Sequence, residues 1–355
     1  MKGLILSGGA GTRLRPITHT SAKQLVPIAN QPILFYGIRD MADAGITQIG
    51  IVIAPATGDD IREAVGDGSA FGVEVTWILQ EEPLGLAHCV LIARDFLGDE
   101  EFVMYLGDNL LREGVKELVA DFVADPAAAQ ILLARVPDPQ RFGVAELDGK
   151  GEVVRLVEKP KDPPSDLALV GVYLFDRTIH EAVRAITPSD RGELEITDAI
   201  QWLIDHGHRV RQKVVSGWWI DTGKLEALLE GNRLILETVE PSIEGDVDAD
   251  SRIVGRVVVQ KGAQIVGSTI RGPAIIGEDT RIVDSFIGPF TSVYYGCEVV
   301  NSEIEHSVVL ECSRIVDIPR IEDSLIGKEV EVTRSATRPH ANRLMLGDHS
   351  RVDLV

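Results

Sequence analysis

The run Lys2-Gly3-Leu4-Ile5-Leu6-Ser7-Gly8-Gly9-Ala10-Gly11-Thr12-Arg13 opens the chain with a short apolar strand that passes straight into a glycine-rich turn. Such a turn lets the backbone approach a ligand and point several N–H groups at it, while Arg13 and the later Lys23 add the positive charge that a polyphosphate requires. In open α/β sheets, ligands sit beyond the carboxyl ends of strands. The strand-then-turn order therefore predicts an α/β fold whose first turn holds a nucleotide triphosphate.

Two commoner phosphate loops do not fit. A Walker A loop closes on Gly-Lys-Ser/Thr, whereas this turn closes on Gly11-Thr12-Arg13 with no lysine before Lys23. A dinucleotide fingerprint needs a third glycine where Leu14 stands, and Pro16 follows it closely.

Working outward, residues 1 to about 240 alternate apolar strand segments with helical ones, as in a sheet covered on both faces. Strands are predicted at Lys2–Leu6, Gln48–Ala54, Glu74–Leu79, Phe102–Leu106, Gln130–Val136, Val153–Leu156, Val170–Phe175 and Val214–Ile220. After Pro241 helical periodicity stops. Ser268-Thr269-Ile270, Ser285-Phe286-Ile287 and Ser302-Glu303-Ile304 recur at a step of about 17 residues. Coils of short strands with an aliphatic residue inward predict a left-handed parallel β-helix over 241–332, with an irregular β-sandwich as the alternative, and a C-terminal tail over 333–355 containing Arg334, Arg338, His340 and Arg343.

The chain has 355 residues, 45% of them hydrophobic, and a formal charge of −20. That charge opposes nucleic-acid and anionic-membrane partners, and no apolar run approaches the roughly 20 residues that span a bilayer. A cytoplasmic protein is expected. An acidic chain that binds a polyanion needs a local basic site or a bridging metal, and Arg13, Arg15, Lys23 and Lys159 are candidates for the first. Cys89, Cys297 and Cys312 lack metal-ligand spacing and are expected to be buried reduced thiols.

Asp108, in Leu106-Gly107-Asp108-Asn109, and Asp221, in Trp219-Ile220-Asp221-Thr222-Gly223, each end an apolar strand. Two carboxylates at strand ends beside a triphosphate suit Mg²⁺; alternatively, Asp221 is a helix N-cap and Asp108 a turn residue. Glu158-Lys159-Pro160 would hold two charged side chains at the lip of a crevice, the lysine for a phosphate and the glutamate for hydroxyls. The Gln80 amide can pair with a nucleobase through one donor and one acceptor, with Gly85 leaving space for the base. Arg191 precedes Glu193-Leu194-Glu195-Ile196-Thr197-Asp198, where Thr197 or Asp198 would cap the next helix.

In this order, these pieces resemble the sugar-1-phosphate nucleotidyltransferases, and among them the glucose-1-phosphate thymidylyltransferase family in its long form with an added β-helix. The resemblance covers about the first 240 residues. It implies a Rossmann-like domain with a mixed sheet over 1–240, and transfer of a thymidylyl group from dTTP to α-D-glucose 1-phosphate with release of pyrophosphate, a step that feeds deoxysugar synthesis. It implies that Gly8, Gly9, Gly11, Thr12, Arg13, Lys23 and Gln24 lie at the nucleotide, with Gln80 and Gly85 at thymine. Asp108 and Asp221 would ligate Mg²⁺, and Gly143, Glu158, Lys159 and the backbone at Leu169 would hold the sugar phosphate; Arg191 is assigned to the same end from its own setting before Glu193. Arg13, Lys23 and Lys159 would be the catalytic charges.

Competing readings are a transferase for UTP or GTP with another hexose 1-phosphate, and a non-catalytic sugar-nucleotide sensor. An acetyltransferase using His306 or His340 is not expected. The β-helix is read as an assembly or regulatory element of a homo-oligomer.

Overall fold

Lys2–Leu6 (β1) lies inside a mixed nine-stranded sheet because its residues from Gly3 to Leu6 are buried, as an apolar run between two covered faces requires. The other strands are Gln48–Ile53 (β2), Glu74–Leu79 (β3), Phe102–Leu106 (β4), Ala129–Arg135 (β5), Gly143–Leu147 (β6), Val153–Glu158 (β7), Leu167–Phe175 (β8) and Val210–Val214 (β9). Their order is β7-β6-β8-β4-β1-β2-β3, with β5 also pairing β8 and β9 pairing β5. Strands β4, β1, β2 and β3 are mutually parallel, whereas β8 runs antiparallel to β4 and so makes the sheet mixed.

The computed structural model describes residues 1–9, 11–19, 22–334 and 344–353, so Arg338, His340 and Arg343 lie outside the described residues. Two compact units result: Met1–Ala10 with Ile33–Asp221, and Gly11–Pro32 with Thr222–Val355. In the first unit the core gathers Leu4, Val52, Phe102, Met104, Ile131 and Phe175, all fully buried. Among the described residues no helix is long and apolar enough to cross a membrane.

The expected strand at 214–220 is instead two. Val210–Val214 runs parallel to β5, and Trp219–Asp221 pairs antiparallel with Asn109–Leu111 in a separate two-stranded sheet. The two partners run differently, so the chain breaks at Ser216-Gly217 to change from one to the other.

In the second unit, residues from Ser242 to Thr333 build three parallel sheets of six, six and five strands, consistent with the predicted left-handed β-helix. Ile270, Ile287, Ile304 and Ile321 stand in register on successive coils, and the first three are fully buried. The recurring serines are its rungs. The N–H of Ser285 donates to Ser268 Oγ at 3.0 Å and that of Ser302 to Ser285 Oγ at 3.1 Å, so each hydroxyl satisfies a buried amide of the next coil. Cys89 and Cys297 are buried as expected, but Cys312 is exposed, because it occupies a solenoid corner at φ 56° instead of an inward position. His306 is committed to Asp323 at another corner.

This unit also contains the segment that follows the glycine turn. Ala29 and Asn30, at φ 47° and 57°, turn the hairpin formed by Pro27–Ile28 and Gln31–Pro32. Asn232, fully buried on helix Leu225–Leu236, accepts the Ala29 N–H at 2.9 Å and the Ser292 hydroxyl at 2.8 Å, and donates to the Phe290 carbonyl at 3.0 Å.

Candidate active site

Parallel registers bring the carboxyl ends of β1, β2, β3 and β4 to one edge of the first unit. The ladder continues one residue past each strand: Ser7 N–H to Val52 O at 2.8 Å, Gly107 N–H to Leu6 O at 3.0 Å, and Gln80 N–H to Ile53 O at 2.9 Å. Gly8, Gln80 and Asp108 therefore share this edge, where the sequence placed a ligand. Ser7 Oγ is fully buried there without a hydrogen-bond partner among the described residues, and a Cβ on Gly107 would stand 2.7 Å from it.

Asp108 is 9% exposed, and its Oδ1 accepts a hydrogen bond from Asn109 Nδ2 at 3.1 Å. Asp221 faces Asn109 directly across the two-stranded sheet, so Asp108 and Asp221 stand one register position apart along the backbone. The helix that follows is capped by Lys224, which removes the N-cap reading of Asp221. Among the described residues no group of three or more His, Cys, Asp or Glu forms a metal cage. Two hard carboxylates, one of them following Gly107 and its buried, unpartnered neighbour Ser7 Oγ, instead fit a small divalent cation that keeps phosphate oxygens and water in its shell.

At the antiparallel part of the sheet, Gly143 on β6 pairs with Glu158 on β7. A Cβ on Gly143 would meet Thr197 Cγ2 at 2.6 Å and Glu158 Oε2 at 3.2 Å, with Leu169 Cδ1 at 3.5 Å, so these four residues form one cluster. Glu158 accepts from Thr197 Oγ1 at 3.2 Å and from Arg191 Nη1 at 3.3 Å, and pairs with Lys159 Nζ at 3.1 Å. The Arg191 guanidinium also reaches Glu193 at 2.9 Å and Glu195 at 3.3 Å. Burial, reinforced by repulsion from the Glu158 charge, raises the Glu195 carboxyl above its ordinary range even though Ser189 donates to it. Glu195 is the N-cap of helix Ile196–Asp205, so neither Thr197 nor Asp198 caps it; Thr197 lies inside and turns its hydroxyl to Glu158.

Gly85 has φ 101°, and a Cβ there would lie 2.4 Å from the Leu194 carbonyl oxygen. Its missing side chain thus makes room for the backbone at Leu194, which exchanges hydrogen bonds with Leu84 and Ala87. The Gln80 amide, 7% exposed, lies against this loop.

In the second unit, Gly11, at φ 62°, precedes a short 3₁₀ turn at Thr12–Leu14 in which Thr12 and Arg13 are exposed. A Cβ on Gly11 would touch Lys23 Cβ at 3.0 Å, so the turn packs against the second basic residue. Gln24 is 1% exposed, and its Oε1 has no hydrogen-bond partner among the described residues.

Sequence reasoning overlooked Asn109 and Trp219 as members of the site. Trp219 Nε1 donates to Asn109 Oδ1 at 2.5 Å, and its ring meets Phe142 edge-on at 5.4 Å. The signal was present in Asp108-Asn109 and Trp219-Ile220-Asp221, two polar strand ends whose pairing only the fold reveals.

Comparison with known proteins identifies the family. Residues 2–238 match the family model described as nucleotidyl transferase. A glucose-1-phosphate thymidylyltransferase of Streptomyces griseus is 58% identical over 354 residues, covering 100% of this chain and 99% of that protein. The protein of the same name from Streptomyces antibioticus is 56% identical over 355 residues, again covering 100% and 99%. A low-salt glycan biosynthesis nucleotidyltransferase of Haloferax volcanii is 46% identical over 357 residues, with 100% of both chains covered. The crystal structure of a Bacillus anthracis protein assigned as a glucose-1-phosphate thymidylyltransferase, in complex with sucrose, has a TM-score of 0.64 at 35% identity, covering 68% of this chain and 97% of that one.

Proposed function

The chain belongs to the nucleotidyl transferase family, and on that premise we propose that it transfers the thymidylyl group of dTTP to α-D-glucose 1-phosphate, giving dTDP-glucose and pyrophosphate. The observation that carries this reading is similarity to two glucose-1-phosphate thymidylyltransferases along the whole chain, solenoid included. The position of Gly8, Gln80 and Asp108 on one sheet edge supports it.

The attacking oxygen of the sugar phosphate is already anionic, so the reaction needs positioning and charge neutralisation more than a strong base. In this reading the turn from Gly8 to Thr12, with Arg13, Lys23 and Gln24, holds the triphosphate, and Gln80 with Gly85 meets thymine. Lys159 orients the incoming phosphate and Glu158 the sugar hydroxyls, with Arg191, Gly143 and Leu169 completing that end. Arg13 offsets the charge that develops as pyrophosphate leaves. Asp108 and Asp221 would hold Mg²⁺, which when bound supplies further positive charge to the phosphate oxygens. The proposal takes the functional division of the chain at about residue 240 and a cytoplasmic homo-oligomer.

The Haloferax volcanii relative favours a second reading, in which the same mechanism serves another nucleotide or hexose 1-phosphate. Pyrophosphate release with glucose 1-phosphate and Mg²⁺, run separately with dTTP, UTP, GTP and ATP, decides between them. A strong preference for dTTP is expected; equal or greater turnover with another nucleotide overturns the base assignment.

A further inference from the structure

Gln80 stands at the end of β3 with its amide nitrogen shared between two acceptors, the Gly85 carbonyl at 3.3 Å and the His88 Nδ1 at 3.1 Å. The Gly85 carbonyl can only accept, so the amide nitrogen must face it. Its second hydrogen then points at His88, whose Nδ1 is required as a lone pair; the imidazole proton sits on Nε2. A carboxamide held this way has its oxygen turned to the opposite side. Gln80 Oε1 indeed lies 3.3 Å from where a Cβ on Gly8 would stand, facing the glycine turn. Both donor hydrogens are therefore spent inside the loop, and only an acceptor is presented outward.

We infer that His88 is a specificity-positioning residue: it locks the Gln80 carboxamide so that the nucleotide pocket offers an acceptor, and so selects a pyrimidine whose ring nitrogen N3 carries a proton. This deepens the thymidylyl reading and rests on it. Thymine and uracil present N3–H to such an acceptor, whereas cytosine presents a lone pair at N3, and two lone pairs repel. His88 sits on helix Leu86–Ile92, one turn past the Gly85 bend and half-buried, so the ring reaches Gln80 from a rigid element. Without it the amide keeps only the long bond to Gly85 and the weak contact with the Cys89 thiol, and rotation by a half-turn, which would present a donor, loses much of its penalty.

The test measures kcat/KM for dTTP and for dCTP, which share sugar and triphosphate and differ only at the base edge, in the wild type, His88→Leu and His88→Asp. Leu removes the acceptor. Asp supplies an oxygen that only accepts, close to the position of Nδ1. The dTTP:dCTP ratio is expected to fall roughly tenfold in His88→Leu, with the KM for glucose 1-phosphate and the melting temperature unmoved, and to return toward the wild-type ratio in His88→Asp. An unchanged ratio in His88→Leu overturns the inference, as does an equal fall in both variants. A wild type that shows no preference for dTTP over dCTP would instead overturn the thymidylyl reading itself.

Discussion

Trp219 donates its indole N–H to Asn109 Oδ1, and the same carboxamide donates to Asp108 Oδ1, so the indole stands two hydrogen bonds from the carboxylate. Its ring also rests on Phe142, whose carbonyl accepts the Lys159 N–H at 3.0 Å. One side chain thereby links the carboxylate strand end to the Glu158-Lys159 turn. Asn109 is oriented from both ends, since the amide oxygen is taken by Trp219 and its nitrogen by Asp108.

Trp219→Phe keeps the apolar body and the contact with Phe142 but deletes the donor. Asn109 is then free to rotate away from Asp108, at the cost of one hydrogen bond, about 1 kcal/mol. Turnover is expected to fall about five- to tenfold while the KM for dTTP changes less than about twofold. Steady-state pyrophosphate release checks this; an unchanged kcat would show that the indole only fills space.

Asp108→Asn and Asp221→Asn each remove one anionic oxygen donor while leaving the strand pairing between Asn109 and Asp221 positions to the backbone. Each variant is expected to lose most turnover, by a factor on the order of a hundred or more, with its melting temperature within a few degrees of wild type. Wild-type rates in either variant at saturating Mg²⁺ would remove that residue from the metal assignment.

Much of this site was legible because strand ends announce themselves. Lys2–Leu6, Glu74–Leu79 and Phe102–Leu106 are apolar runs that stop at Ser7, Gln80 and Gly107, and the structure keeps those limits. The solenoid was legible for a related reason, since each serine two residues before a buried isoleucine serves the next coil and must recur. What stayed hidden depends on tertiary partners. Asn109–Leu111 and Trp219–Asp221 are three residues each, too short for a period to register, and exist as strands only through each other. Gln80 reads as a two-way amide until Gly85 and His88 are seen to occupy its nitrogen.

A pH prediction comes from Asp40 on helix Ile33–Asp43. Burial, aided by repulsion from Asp43, raises its carboxyl to about 7 against the hydrogen bond from the Tyr105 hydroxyl at 3.3 Å. The fold therefore favours the neutral acid. That contribution is complete below the ordinary value of 3.8 and is lost as pH rises through about 7. Asp40→Asn is permanently neutral and can still accept from Tyr105. Its stability relative to wild type is expected to grow between about pH 4 and pH 7.5 by roughly 4 kcal/mol and then level off. Denaturant titrations across that range measure the gap, and a constant difference would dismiss the burial argument.

Gly85→Ala places a Cβ 2.4 Å from the Leu194 carbonyl oxygen at a backbone φ of 101°. Neither the backbone at Leu194 nor that angle yields cheaply, so the loop must move, and Gln80 loses the carbonyl that orients its amide. A loss of about 2–4 kcal/mol in stability is expected, together with a rise of at least about tenfold in the KM for dTTP. The KM for glucose 1-phosphate should move far less, and an equal rise in both would mean that the damage is general.

Asn232 is the last case, and it concerns the segment that bears Arg13 and Lys23. Its carboxamide is fully buried and makes three hydrogen bonds: from the Ala29 N–H, from the Ser292 hydroxyl and to the Phe290 carbonyl. A parallel tie runs from Asn30 Nδ2 to the Val293 carbonyl at 2.7 Å. The hairpin at Ala29-Asn30 is thus seated on a coil of the β-helix and on helix Leu225–Leu236 at once. Asn232→Ala leaves an amide, a hydroxyl and a carbonyl unsatisfied in a place that excludes water, a loss of on the order of 3 kcal/mol. Asn232→Asp keeps the acceptor for Ala29 and Ser292 but turns an oxygen toward the Phe290 carbonyl, and should cost comparably at neutral pH. Asn30→Ala, which cuts only the exposed-side tie, should cost under about 1.5 kcal/mol. Hydrogen exchange at residues 22–32 is the readout. Faster exchange there in Asn232→Ala, with the sheet of the first unit still protected, is the expected result; uniform loss of protection would mean that the residue supports the whole fold instead of this seat.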